Sequence, residues 1–228
     1  MNRLETRQAR NTLLESRLSL EPTPLATLLS EYETDAPPAS DASIAYRPAT
    51  VAGTYDPEHE VLQRSSEGYD GEPGYFVLTP LVLNSGQTVL IKRGWVPFEL
   101  NTPPVAEALP PPGEVSVQGS VQLGRKPPTG FAANLAPQDP PGELDITAYS
   151  DLSRLSEQMP YELLPVYLEL QTQSPSQDAA LPRLPRPPTF TDGPHLGYAI
   201  QWFAFAVITV VGYGFFVRQG LKSELGTS

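Results

Sequence analysis

From Leu196 to Val217 the chain runs for 22 residues without a charge, "LGYAIQWFAFAVITVVGYGFFV". No other feature restricts the fold so strongly. A bilayer core takes about 20 apolar residues in helix, and a helix satisfies its own backbone hydrogen bonds in lipid. Tyr198 and Trp202 near one end, with Tyr213 near the other, are placed like interfacial aromatic belts. The stretch predicts a transmembrane helix over 196–217 followed by a cytoplasmic tail, 218–228. A buried core helix of a soluble domain is the competing reading, but a core helix of this size rarely lacks every charge.

The rest of the chain differs in kind. Residues 1–195 carry 13 Lys+Arg against 25 Asp+Glu, and the whole chain has a net charge of −11. Such a surface repels phosphates, which excludes nucleic acid as a partner, and it does not favour lying flat on anionic lipid. The length suits one domain with a real core. The chain has no cysteine, which removes disulfides, thiolate catalysis and zinc–thiolate sites. "MNRLETRQARNTLLESRL" lacks the apolar centre of a secretory signal. A C-terminal anchor alone would leave the domain in the cytoplasm. Arg218 and Lys222 after the apolar stretch balance Arg183 and Arg186 before it, so the positive-inside rule gives no orientation.

Residues 1–30 read as a helical segment. Over 2–20, Leu14 and Leu18 share one face of an amphipathic helix. Thr23 is expected to cap a second, short helix through Leu29, with Pro24 in its first turn. Residues 31–173 read as a β-rich extramembrane domain. "IAYRPATVAGTY" is a strand whose Pro48 suggests an edge or bulge, and "EVLQRS" is a short one. "GYFVLTPLVLNSGQTVLIKRGWVPF" is a hairpin turning at Asn84-Ser85-Gly86. "GEVSVQGSVQLG" is a strand bent or bulged at Gly119, and "LLPVYLELQTQ" is a late strand. "SDLSRLSEQM" predicts a short helix capped by Ser150, with Leu152 and Leu155 on its buried side. Residues 174–195 form a proline-rich, semi-rigid linker. The sum is an α+β, mostly β, fold: a small antiparallel β-barrel or sandwich with short helices at its margin and a C-terminal transmembrane helix.

Motifs for hydrolase nucleophiles, zinc proteases, P-loops and dinucleotide sites are absent. Asp56, Glu58 and Glu60 read as a solvated acidic face, and His59 among them as a surface histidine. At Arg93-Gly94-Trp95 two readings stand side by side. The guanidinium could hold an anionic group while the indole packs on something flat, or Trp95 could plug the domain's end with Arg93 paired to a domain carboxylate. Near the membrane edge, His195, Tyr198, Trp202, Ala206, Thr209 and Tyr213 fall near one helical face. A neutral imidazole there could ligate heme iron, or simply sit in the aromatic belt.

Three ordered blocks resemble the surfeit locus protein 1 family. They are "YRPATVAGTYD" followed by a short strand and Arg64; "GEPGYFVLTPLVLNSGQTVLIKRGWVP"; and "HLGYAIQWFAFAV". The resemblance implies an accessory protein of cytochrome c oxidase biogenesis, not an enzyme. Its domain would lie on the outer face of a bacterial cell membrane, or of the mitochondrial inner membrane, and two transmembrane helices would hold it. It implies transient binding of heme a and its delivery or insertion into the oxidase catalytic subunit, alongside heme a synthesis and assembly proteins. Transferred to this chain, the cofactor-binding residues are His195, as the possible iron ligand, with Tyr198, Gln201, Trp202, Arg93 and Trp95. Two departures stand out. No first membrane helix precedes "RLETRQARN", so an upstream segment is expected, and Lys92 stands where the family often has a small or amide residue. A cofactor-free, membrane-tethered scaffold for the oxidase subunit is the alternative, and a carboxylate hydrolase ranks last.

Overall fold

The computed structural model describes residues 12, 14–34, 44–177, 179–186 and 200–214. The chain divides into two compact units: Leu13–Pro187, and Met1–Thr12 with Pro188–Ser228.

In the first unit, a helical stretch α1 (14–18) precedes β1 (Thr23–Pro24) and α2 (Leu25–Thr34). Then follow β2 (Pro48–Tyr55), β3 (Val61–Tyr69), β4 (Glu72–Leu83), β5 (Thr88–Pro97), β6 (Glu114–Leu123), β7 (Ile146–Thr147), α3 (Leu152–Ser156) and β8 (Leu163–Ser174). The expected class, α+β and mostly sheet with short helices, is what forms. The expected architecture is corrected in two respects. All eight strands join one sheet, ordered β1-β2-β6-β8-β5-β4-β3-β7, instead of two sheets packed as a sandwich. It is also mixed, because β5–β8, β1–β2 and β3–β7 are parallel. Side-chain alternation along a strand reports which face is buried, not the direction of its neighbour, so the parallel pairs left no local trace. The sheet curls so that β2 meets β4 over Gly53–Tyr55 and Leu81–Leu83, a three-residue contact short of a continuous barrel wall. Gly53 permits it, since a Cβ there would come within 2.9 Å of the Val82 carbonyl carbon.

The β4–β5 hairpin turns as expected, with Gly86 at φ +84° and its N–H bonded to Leu83 O at 2.9 Å. A second hairpin, β3–β4, turns on Asp70-Gly71, both with positive φ (56° and 80°), an arrangement that Asp-Gly suits. β3 is accordingly longer than "EVLQRS". The irregularity expected at Gly119 is present, and the extra residue is Gln171 on β8. Pro48 opens β2 and pairs with Ser120, so it stands at a strand start and not on a free edge.

β5 is buried on both faces, which is why it reads as a near-continuous apolar run. Val89 and Ile91 join a cluster with Leu25 and Leu28 of α2 and Val117, Val121 and Leu168 of the sheet. Leu90 points into another cluster, with Leu152 and Leu155 of α3, Val61, Leu78 and Tyr167. Thr23–Pro24 form a two-residue strand beside β2, so α2 begins at Leu25 and extends beyond Leu29.

The cap of α3 is Asp151, not Ser150: its carboxylate accepts the Arg154 N–H at 3.3 Å. Ser150 instead accepts the Arg125 N–H, at 2.9 Å on its carbonyl and 3.3 Å on its hydroxyl. Asp151→Ala should lower stability by about 1 kcal/mol, read by urea unfolding; an unchanged midpoint would refute that cap.

In the other unit, residues 200–214 form a helix, α4, with Ile200, Trp202, Phe203 and Tyr213 between 61 and 75 % exposed. The transmembrane span expected over 196–217 is not seen as such: residues 196–199 and 215–217 lie outside the described residues, as does the 218–228 tail. Among the described residues no helix is long and apolar enough to cross a membrane. Residues 200–214 span about 22 Å at 1.5 Å per residue, against roughly 30 Å of hydrocarbon.

Candidate functional site

The end of β5 builds the most unusual environment in the domain. Val77 pairs with Gly94 and Leu78 with Lys92, so Arg93 has no partner of its own on β4. This bulge aims the Arg93 side chain inward, where it is fully buried. Its counter-ion is Glu60, with Arg93 Nη1 3.4 Å from Glu60 Oε2. Glu60 is also fed by the Thr79 hydroxyl at 2.8 Å and by the Val105 N–H at 3.0 Å. Arg93 Nη2 donates to Gln177 Oε1 at 2.6 Å, and the guanidinium lies 5.4 Å from the Tyr55 ring centre. Tyr55 in turn donates to Gln173 Oε1 at 3.0 Å.

Glu60 was expected on a solvated face and is instead 4 % exposed. The acidic motif divides at the short helical turn Pro57–His59: Glu58 stays outside, and Glu60 enters the core at the start of β3. Burial pushes the Glu60 carboxyl above its ordinary range, a rise opposed by Val105, Thr79 and Arg93. Burial also lowers the guanidinium of Arg93 and raises the hydroxyl of Tyr55. His59 remains near the surface, 2.7 Å from Asp56 Oδ2, and no cluster of metal-ligating residues occurs among the described residues.

Trp95, 1 % exposed, stacks on Tyr69 with ring centres 5.5 Å apart. Over both runs a strap, residues 179–186, part of the segment expected as a proline-rich, semi-rigid linker. Trp95 N–H donates to Arg183 O at 2.7 Å and Arg183 N–H to Trp95 O at 2.9 Å. The Arg183 guanidinium lies 5.1 Å from the Trp95 ring and pairs with Glu72 at 3.5 Å, while Arg186 lies 4.7 Å from the Tyr69 ring and pairs with Asp70. Gly94 allows this approach, since a Cβ there would come within 2.9 Å of the Arg183 carbonyl carbon and of Pro182 Cβ. A cleft of about 450 Å³ lies between strap and β8, reached by Arg93, Gln177, Pro182 and Arg183. Arg93 Nε and Trp95 Nε1, both buried here, have no hydrogen-bond partner among the described residues.

Arg93 and Trp95 are therefore brought together, with Arg93 paired to a domain carboxylate. Gln201 and Trp202 lie on α4, with Trp202 72 % exposed. His195 and Tyr198 lie outside the described residues. Glu60, Thr79 and Gln177 escaped sequence reasoning. A lone arginine inside an apolar strand is a signal that a buried carboxylate exists, but not of which one.

Among similar proteins, an uncharacterized SURF1-like protein of Mycobacterium tuberculosis is 29 % identical over 217 residues, covering 94 % of this chain and 73 % of that one. Surfeit locus protein 1 of Homo sapiens is 26 % identical over 211 residues, covering 86 % and 64 %, and that of Rattus norvegicus 26 % over 212, covering 86 % and 62 %. The match to the SURF1 family runs from residue 1 to 207, taking in the Glu60–Arg93 pair, the strapped Trp95 and the start of the apolar stretch, so the chain belongs to the SURF1 family.

Proposed function

We propose that this chain is a membrane-anchored assembly factor for cytochrome c oxidase. It assists heme a delivery or insertion into the catalytic subunit, and it acts as a chaperone rather than an enzyme. The observation that carries the reading is family membership extending through His195 and into the apolar stretch. The exposed apolar side chains of α4 support it, because such a surface is stable only in lipid or against another apolar partner. The domain would sit on the outer face of a bacterial plasma membrane, or the corresponding face of the mitochondrial inner membrane.

The residues present suit a heme. An imidazole at position 195 is an iron ligand that releases readily when protonated. Trp202 offers a flat exposed ring four residues after Tyr198 in the sequence, next to Gln201. Trp95 holds the docked strap directly, and Arg93 reaches it through Gln177, which donates to Leu181 O. Within the Leu13–Pro187 unit, lifting the strap would present Arg93 and Trp95, with their unpartnered side-chain N–H groups, to an anionic group. The heme itself would supply only cargo chemistry, and the chain's work is to hold it and let go.

Heme a added to the full chain in detergent should give a Soret band that His195→Ala abolishes. Equal binding by both proteins would reject His195 as ligand. If neither binds, yet the chain still co-purifies with oxidase subunits from cells unable to make heme a, the scaffold alternative stands instead.

A further inference from the structure

A separate cavity of about 570 Å³ opens where β3, β4 and β5 meet the long loop between β6 and α3. Its wall contains three cations, Arg64, Lys92 and Arg125, and three aromatic rings, Phe76, Phe98 and Tyr149, but no Asp or Glu. In a chain where acids outnumber bases 26 to 15, an acid-free wall with three positive groups runs against the whole-protein field. We propose that this cavity binds a small organic anion with a flat, unsaturated body, its charged end on Arg64 and Arg125 and its body against Phe76, Phe98 and Tyr149.

The cations differ in availability. Lys92 is held, 3.9 Å from Glu169 and 3.8 Å above the centre of the Phe76 ring. Arg64 and Arg125 are exposed, and neither forms an ion pair among the described residues. Asp139, on the same loop, accepts from the Thr147 hydroxyl at 2.8 Å and the Ala148 N–H at 2.7 Å. Two guanidiniums with open donors match a carboxylate, sulfonate or phosphate end, and aromatic faces match a planar body.

The wall is also braced. The Arg125 backbone is tied to Ser150 twice, and the Tyr149 hydroxyl donates to Pro137 O at 3.2 Å, joining two lining residues. Phe76 is fixed by pairing opposite Gln63 on β3 and Trp95 on β5. The volume falls in the range of small-molecule pockets, roughly 300–1,000 Å³. A nucleic acid strand or an anionic bilayer is disfavoured, because the chain's net charge of −11 would repel either. None of these residues is among those proposed above to hold heme a.

The test uses a matched pair of probes, 8-anilinonaphthalene-1-sulfonate and uncharged N-phenyl-1-naphthylamine, which share a body and differ in the anion. With the full chain in detergent, the sulfonate should bind saturably. Arg64→Ala/Arg125→Ala should weaken it at least about tenfold, while the uncharged probe changes less than about twofold. Arg64→Lys/Arg125→Lys should restore part of the loss, and His195→Ala should leave both probes unaffected. Because both arginines are exposed, far-ultraviolet circular dichroism and Tm should match the wild type. Sulfonate binding that survives the double alanine variant, or equal losses for both probes, would overturn the proposal. So would a hexaglutamate peptide that displaces the sulfonate and binds more tightly, which would give the cavity to an acidic protein segment.

Discussion

Glu60→Leu should cost about 3–5 kcal/mol of stability, the expected result of leaving a buried guanidinium without its counter-ion. The change removes three interactions at once, since Arg93, Thr79 and the Val105 N–H all converge on this carboxylate. Arg93→Met should cost a similar amount at neutral pH, for the opposite charge. The double variant should be more stable than either single one, because two apolar side chains of similar volume carry no desolvation penalty. Urea unfolding of the four proteins checks this. A double variant as unstable as the sum of the singles would mean that the two residues act separately.

The pH dependence follows from the raised carboxyl of Glu60. A folded-state value above the unfolded one means that the folded protein holds this proton more tightly. Its contribution is complete below about pH 4.3, the ordinary glutamate value, and is lost as pH rises through the folded value. In Arg93→Met the lowering influence of the guanidinium is gone, so the window of loss should extend to higher pH. The variant should thus be nearest to wild type in acid and furthest from it at neutral pH. In Glu60→Leu this carboxyl is absent, so the part of the pH dependence that it contributes to the wild type should disappear.

Gly94→Ala should release the strap. The new Cβ would come within 2.9 Å of the Arg183 carbonyl carbon and closer still to its oxygen, and backbone cannot rotate aside as a flexible side chain can. Overpacking of this kind costs about 1–3 kcal/mol, and displacing 179–186 is the easiest relief. Trp95 should then become quenchable by acrylamide, measured in a Trp202→Phe background so that one indole reports. Trypsin should also cut faster after Arg183. Unchanged quenching and cleavage would show that the strap adapts to the methyl group without leaving.

These two effects lie at one place in the fold, and only part of it was legible beforehand. The β4–β5 hairpin could be read because Asn84-Ser85-Gly86 and its apolar flanks are local. α3's buried face could be read from Leu152 and Leu155. The β3–β4 hairpin carries an equally local signal in Asp70-Gly71, but the residues before it, "SSEGY", lack the apolar alternation of a strand, so β3 reads as ending at "EVLQRS". Ser150 lost the cap to Asp151 by one position, because its hydroxyl meets Arg125 from a distant loop. Glu60 was assigned to solvent because its neighbours are acidic, whereas its destination depended on where a bulge 33 residues later would turn Arg93.

By itself the sequence determined the family, the mostly-β class, the β4–β5 turn and the apolar stretch after His195, since each rests on neighbours along the chain. The tertiary structure alone decided that Glu60 would neutralise Arg93, that strands β5 and β8 would run parallel, and that residues 179–186 would lie clamped over Trp95. Those outcomes depend on which surfaces meet. A buried charge takes whatever opposite charge the fold brings within reach, and a backbone passes close to another only where a glycine leaves room.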